Sequence, residues 1–342
     1  MYLRKQSLQI NCINKQIQLS SQLMQPTLIS SPLQGFTDFR FRNAFHQFFD
    51  GIDVFYAPYI RFGGKMEIKE VYQRDLQVKN NKVTTLIPQV MTCSADQFIF
   101  AAKYVQSLGY KELNWNLGCP YPMVTNKGLG SGLIAQPEKI DHILNRVHSE
   151  TDIIVSMKMR MGYEHAGEIL EVFPILEKYP IKNIGIHARI GKQLYKGGVD
   201  LVGFQRCIEN SSQKLYFNGD LTSVDVYREM ADRFPSIDHW MLGRGLIADP
   251  FLPSMIKSGS REYPENRLEI FSKYHDTLFT AAEQKLTGEK AVIRKMLSYW
   301  EYFASTLPNP TKVIKKIKKC KTYDMYDLAV DEILERQPSF SY

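Results

Sequence analysis

From residue 26 onward the chain repeats one rhythm. A short run of consecutive apolar residues is followed by a polar loop. A longer stretch comes next, in which apolar residues return at every third or fourth position. The runs fall at 27–31, 53–58, 85–91, 112–116, 153–159, 183–187, 214–218 and 239–243, and each predicts a strand. The stretches at 95–108, 137–147, 167–178 and 223–233 carry helical spacing. Runs that are apolar throughout, rather than alternating, belong to strands buried on both faces, as in a parallel sheet. Eight strand–helix units predict a (β/α)8 TIM barrel over 25–257, close to the usual length of about 250 residues. The competing architecture is an open doubly wound sheet, but no Gly-x-Gly-x-x-Gly follows the first run.

Past Pro253 the pattern changes. Ser258-Gly259-Ser260 and Tyr263-Pro264 read as a linker. Helical spacing at 268–284, 290–306 and 323–336 predicts a small all-helical C-terminal domain over 258–342, with Pro308 and Pro310 breaking between its second and third helices. Residues 1–24 contain no acidic residue and no apolar core of secretory-signal length. They are expected to lie outside the fold, either as sequence preceding a start at Met24 or as a weak transit-like segment.

Composition narrows the class. With 44% apolar and 12% aromatic residues in 342, there is ample material for a core, and no uninterrupted apolar stretch approaches the roughly 18 residues of a helical span. No membrane is therefore expected. Five scattered cysteines without a Cys-x-x-Cys pair fit neither a disulfide framework nor a metal cluster, so the expected setting is reducing and cytoplasmic, with no metal. The net charge of +7 matters through its placement. Between Lys290 and Lys321 stand nine basic residues against one acid, Glu301, a local excess of +8 that leaves the rest of the chain near −1. Such a run is either a solvated helix face or a polyanion-binding surface. Tyr299, Trp300 and Tyr302 lie among these charges, which suits RNA and core packing equally.

In a barrel of this kind, chemistry belongs at the carboxyl ends of the strands. The unusual residues fall there. Ser31-Pro32-Leu33-Gln34-Gly35-Phe36-Thr37-Asp38 follows the first run, and Gln89 is an amide inside an apolar run. Lys158 and Arg160 end the fifth run, and His187 and Arg189 the sixth. Asn218-Gly219-Asp220 and Gly243-Arg244-Gly245 end the last two, where phosphate sites of such barrels are frequent. Cys119 stands apart from the other cysteines because it sits in the polar loop Asn116-Leu117-Gly118-Cys119-Pro120 on this face. With no histidine beside it to raise a thiolate, a general acid is the better role. The glycines of 128–132 are expected to let this loop open and close over a substrate.

Taken together, these motifs resemble the tRNA-dihydrouridine synthase family over nearly all of 26–336. The resemblance rests on 31–38, 116–120, Lys158-Met159-Arg160, His187-Ala188-Arg189 with Tyr195-Lys196-Gly197-Gly198, 218–220 and 243–245. Arg294-Lys295-Met296-Leu297-Ser298-Tyr299-Trp300 is similar to the basic-aromatic helix of the family's RNA-binding domain. The resemblance implies an FMN enzyme that reduces the C5–C6 bond of tRNA uridines, with NADPH as electron source and Cys119 as the acid. It implies that Pro32, Leu33, Gln34, Gln89, Lys158, His187, Asn218, Gly219, Asp220, Gly243 and Arg244 hold the flavin. Asn116, Arg189, Lys196, Arg294, Lys295, Lys315 and Lys316 would meet the RNA substrate. A monomer is expected. Two departures stand out: Leu33-Gln34 replaces the commoner Met-Ala, and Asn114 replaces an acid. The alternatives are a flavin barrel acting on a small molecule, which leaves the basic tail without a task, and a dihydrouridine synthase acting on ribosomal RNA.

Overall fold

The computed structural model of the chain describes residues 25–335. The segment 1–24 and Arg336, the expected end of the last helix, lie outside the described residues. The strands are β1 (Thr27–Ser30), β2 (Val54–Tyr56), β3 (Ile60–Arg61), β4 (Leu86–Ile87), β5 (Gln89–Met91), β6 (Glu112–Leu117), β7 (Ile154–Arg160), β8 (Ile184–His187), β9 (Leu215–Asn218) and β10 (His239–Leu242). They form one sheet in the order β3-β5-β6-β7-β8-β9-β10-β1-β2-β4, and every pairing is parallel.

The sheet closes through Pro88. It splits one apolar run into β4 and β5, because proline has no N–H to give to a ladder. The Ala57 N–H donates to the Ile87 carbonyl on one side, and the Asn114 N–H donates to the Pro88 carbonyl on the other, both at 2.9 Å. This one segment therefore joins β2 to β6 and completes an eight-stranded barrel, with β3 a short extra strand beside β5. Ile29, Tyr56, Ile87, Tyr216 and Met241 from five strands form a separate apolar cluster. They alternate with outward-facing neighbours such as Leu28 and Phe55, which join the main core, so they fill the barrel interior. A Cβ at Gly185 would overlap the Tyr216 ring, so that glycine makes room for it.

Around the barrel run α1 (Phe39–Phe48), α2 (Glu70–Leu76), α3 (Ala95–Ser107), α4 (Pro122–Thr125), α5 (Pro137–Glu150), α6 (Glu168–Leu176), α7 (Leu201–Glu209), α8 (Val224–Arg233), α9 (Arg244–Ala248) and α10 (Leu252–Ser258). Asp38, Ser94, Asp200 and Ser223 cap α1, α3, α7 and α8 with their side-chain oxygens. In α5 the buried residues are Ile140, Ile143, Leu144 and Val147, the spacing of one helix face.

Among the described residues the tail holds four helices, not three: α11 (Arg267–Glu283), α12 (Glu289–Phe303), α13 (Pro310–Lys319) and α14 (Tyr323–Glu335). The additional one, α13, begins at Pro310. At the first helical position proline's missing N–H costs nothing, so this proline starts a helix instead of breaking one. The tail packs on α1, with the Tyr274 ring against Phe41, Phe48 and Phe49. Tyr299 and Trp300 are buried in this packing, and the Trp300 indole N–H donates to the Tyr326 hydroxyl at 2.8 Å. Among the described residues no helix is long and apolar enough to cross a membrane.

Candidate active site

The carboxyl ends of the strands open into a cavity of about 1300 Å³. Pro32, Leu33, Gln34, Asn116, Cys119, Lys158, His187, Asn218, Gly219, Asp220, Gly243 and Arg244 all line it. Gln89 and Arg189 do not. Both are buried behind the wall, where they hold residues that do line it. In the ring of strands β6 and β10 stand four places apart, so Cys119 and Arg244 face each other across the mouth.

On the β6 side a chain of side-chain amides fixes the cysteine. The Asn116 carboxamide oxygen accepts from the N–H groups of Gly118 and Cys119, both at 3.0 Å. Its NH2 donates to Gln89 Oε1 at 2.8 Å, Gln89 Nε2 donates to Asn114 Oδ1 at 2.7 Å, and Asn114 Nδ2 donates to Ser156 Oγ at 2.9 Å. All four side chains are buried and each amide is satisfied, as burial of polar groups demands. The Cys119 carbonyl accepts from the backbone N–H of Ser131 at 3.0 Å and from its hydroxyl at 3.2 Å. Gly130 stands at φ +57°, where a Cβ would come within 2.4 Å of that carbonyl oxygen. The glycine-rich segment expected to swing is thus used for close approach. Sγ itself lies 3.9 Å from the Tyr59 hydroxyl and among Met91, Val124 and Leu129.

The rest of the rim, from the neighbouring strand β7 round to β10, is cationic. The Lys158 ammonium donates to Asn218 Oδ1 at 2.8 Å, and Asn218 Nδ2 donates to the Met241 carbonyl at 2.9 Å. Burial, helped by the charge of Arg160, pulls the Lys158 pKa down to about 7. His187 is held well below its usual value, first by burial and then by Lys158 and three arginines, so the imidazole is neutral at pH 7. Its Nε2 lies 3.2 Å from the Arg189 guanidinium, which can only donate. Nε2 is therefore the acceptor and Nδ1 carries the proton.

Asp220 sits at φ +38°, a conformation that costs roughly 1–3 kcal/mol outside glycine. Arg189 and Arg244 both donate to its carboxylate, and together they outweigh burial to hold it below the usual carboxylate range. Arg160 donates to the carbonyls of Gly118 at 3.1 Å and Ile190 at 2.7 Å, and burial brings it down to about 10. The Arg160 and Arg244 guanidinium groups lie 5.3 and 4.8 Å from the centre of the Tyr195 ring.

The other anticipated contacts lie outside this wall. Lys196 is exposed in the loop after β8, and Arg294 and Lys315 are exposed on the tail. Lys316 pairs with Glu332. Lys295 turns inward onto the β1 loop, donating to the Gly35 carbonyl at 2.7 Å. The cavity also takes in Tyr59 and Tyr121, which the sequence did not single out, and Tyr195, Asp249 and, from the tail, Glu301 and Tyr302, to which it gave no role in the site. For Tyr59 the available signal was its place just past the second apolar run.

The arrangement puts one thiol in the same cavity as a lysine, a neutral imidazole with a free N–H and an amide, with an arginine across the mouth. That donor set suits an electron-rich ring and a phosphate. Among the described residues no group of three or more His, Cys, Asp or Glu is placed to hold a metal ion.

The chain is similar to several known proteins. The chain is 25% identical over 247 residues to tRNA-dihydrouridine synthase B of Pasteurella multocida, covering 71% of this chain and 72% of that protein. It is 26% identical over 301 residues to a probable tRNA-dihydrouridine synthase of Rickettsia bellii, covering 86% and 88%. Among solved structures, morphinone reductase superposes with a TM-score of 0.49 at 10% identity, over 72% of this chain and 88% of that one. The dihydrouridine synthase family model matches residues 28–329, from β1 into α14. The match takes in both the barrel and the helical tail, and the chain belongs to the dihydrouridine synthase family.

Proposed function

We propose that this protein is an FMN- and NADPH-dependent tRNA-dihydrouridine synthase, a cytoplasmic monomer in which the barrel (25–257) carries the chemistry and the tail (258–342) binds RNA. The observation that carries the reading is the thiol of Cys119 sharing one cavity with Lys158, His187 and Asn218 and facing Arg244 across its mouth. The relatives' names supply the RNA class.

FMN, when bound, would supply the hydride for uracil C6. Arg244 and the backbone at Gly243 and Gly219 would hold the flavin phosphate. Lys158, with two N–H groups beyond the one given to Asn218, would hold the electron-rich ring edge, and His187 Nδ1–H would serve the ribityl chain. Pro32, Leu33 and Gln34 would line the ring. The Cys119 S–H would give its proton to C5, and solvent would restore it. Asn116 has one N–H left for the uracil after its bond to Gln89. The uridine must leave its stack to enter, a cost lowered in flexible tRNA loops.

The test is a map of dihydrouridine in total RNA from cells with and without the gene, together with reduction of unmodified tRNA by the purified protein, FMN and NADPH. Loss of specific tRNA positions supports the reading. Loss confined to ribosomal RNA, or purified protein that is folded yet carries no extractable flavin, overturns it.

A further inference from the structure

We infer that Lys295, together with Tyr299, is a positioning pair that holds the β1 loop in its flavin-receiving shape, so that the tail takes part in flavin binding as well as in RNA binding. This rests on the proposed reading that Pro32–Gln34 meet the flavin.

The loop at 31–38 has internal bonds along its inner side. The Phe36 and Thr37 N–H groups donate to the Leu33 carbonyl at 2.9 and 3.0 Å, and the Leu33 N–H donates to the Thr37 hydroxyl at 2.8 Å. Its outer side is held by α12, some 260 residues away in sequence. The Lys295 ammonium donates to the Gly35 carbonyl at 2.7 Å and lies 4.6 and 4.0 Å from the ring centres of Phe36 and Tyr299. The Tyr299 hydroxyl donates to the Phe36 carbonyl at 3.1 Å. The Phe36 ring stands edge-on to Tyr299 and Tyr302, at 5.5 and 5.3 Å. At the end of the loop Lys285 pairs with Asp38, the N-cap of α1, at 2.8 Å.

Two consecutive carbonyls of the loop are thus bonded to one helix, and the ring between them is packed against it. A cation engaged with a carbonyl and two rings is not presented to an RNA backbone. Burial agrees with this, pulling Lys295 down to about 8. Its neighbour Arg294 is exposed and takes that outward position instead. Gly35 at φ +85° has many alternatives when released, so a loop without its outer bonds must be ordered by the ligand.

The experiment measures FMN binding to flavin-stripped protein by quenching of flavin fluorescence, and tRNA binding across a salt series. Lys295→Met is expected to weaken FMN about tenfold, the cost of ordering roughly one loop residue at binding, with tRNA affinity and salt slope unchanged. Lys295→Arg, which keeps a donor for the Gly35 carbonyl, is expected to restore most of the loss. Tyr299→Phe, which removes a single hydroxyl from a buried ring, tests the pair without risk to the fold and is expected to weaken FMN by a few-fold. Wild-type affinity for FMN in both Lys295→Met and Tyr299→Phe overturns the inference. So does a Lys295→Met protein that keeps its flavin and loses one unit of salt slope on tRNA. Failure of the unaltered protein to bind FMN overturns instead the reading beneath it.

Discussion

The barrel mouth and the outer face of α13 are both basic, yet they hold their charge by different physics. At the mouth Lys158, Arg160 and Arg244, and behind its wall Arg189, each have named partners, and burial has pulled Lys158 and Arg160 below their usual pKa values. On α13 the buried residues are Val313 and Ile317, while Lys312, Lys315, Lys318 and Lys319 are exposed. A charge in water is screened over about 8 Å at physiological salt and costs little to move. A buried charge is strengthened and fixed in direction by its neighbours. The mouth can therefore recognise one shape of ligand, and the helix face can hold any polyanion, additively and with strong salt dependence. Counting Lys and Arg along the chain does not separate the two; burial does.

The comparison can be tested at several strengths. Cys119→Ala is expected to slow reduction about 10²- to 10⁴-fold, the usual worth of a positioned acid, with flavin and tRNA binding intact. Single-turnover kinetics checks this, and near-normal rates remove Cys119 as the acid. Charge reversal of Lys312, Lys315, Lys318 and Lys319 to Glu is expected to lower the salt slope of tRNA binding by about four and to leave flavin affinity alone. A change in flavin affinity there would erase the distinction between the two regions.

A third test is pH. Lys158 in the ligand-free protein titrates at about 7, and an electron-rich ligand favours its charged form, so flavin binding takes up a proton above that pH. Flavin affinity is then expected to fall as pH rises through 7, by up to about tenfold per unit, and Lys158→Gln should flatten the profile. The smallest effect is Arg294→Ala, which should cost about one unit of salt slope and nothing in the rate of the bound complex. Filter-binding titrations at three salt concentrations resolve it.

Much of this was legible in the sequence, for reasons that differ by region. The barrel strands show because a strand buried on both faces is apolar throughout, and the residues that break that rule, Gln89, Lys158 and His187, mark the site. The helix α13 did not show because proline is read as a breaker unless its position in the helix is known. The division of one run at Pro88 into a closing segment is likewise a matter of pairing, which no local pattern carries. Asn114 read as an isolated departure and Gln89 as a flavin contact, because only the register of β5, β6 and β7 places them in one line with Asn116 and Ser156. Lys295 read as one more cation in a basic run, and Tyr59 did not read at all. Each takes its meaning from a partner far away in the chain.

The line of amides behind Cys119 has a polarity with a consequence of its own. The N–H groups of Gly118 and Cys119 cannot reverse, so they dictate the orientation of Asn116, which dictates that of Gln89, which dictates that of Asn114. Turning one member alone would set donor against donor, so the line shifts together or stays put. The peptide that carries the thiol thus inherits a discrete setting in place of a soft one. A carboxylate at position 114 would accept from both neighbours and require the Ser156 hydroxyl to turn round. It would also bring a negative charge to a buried position, which the neutral carboxamide avoids.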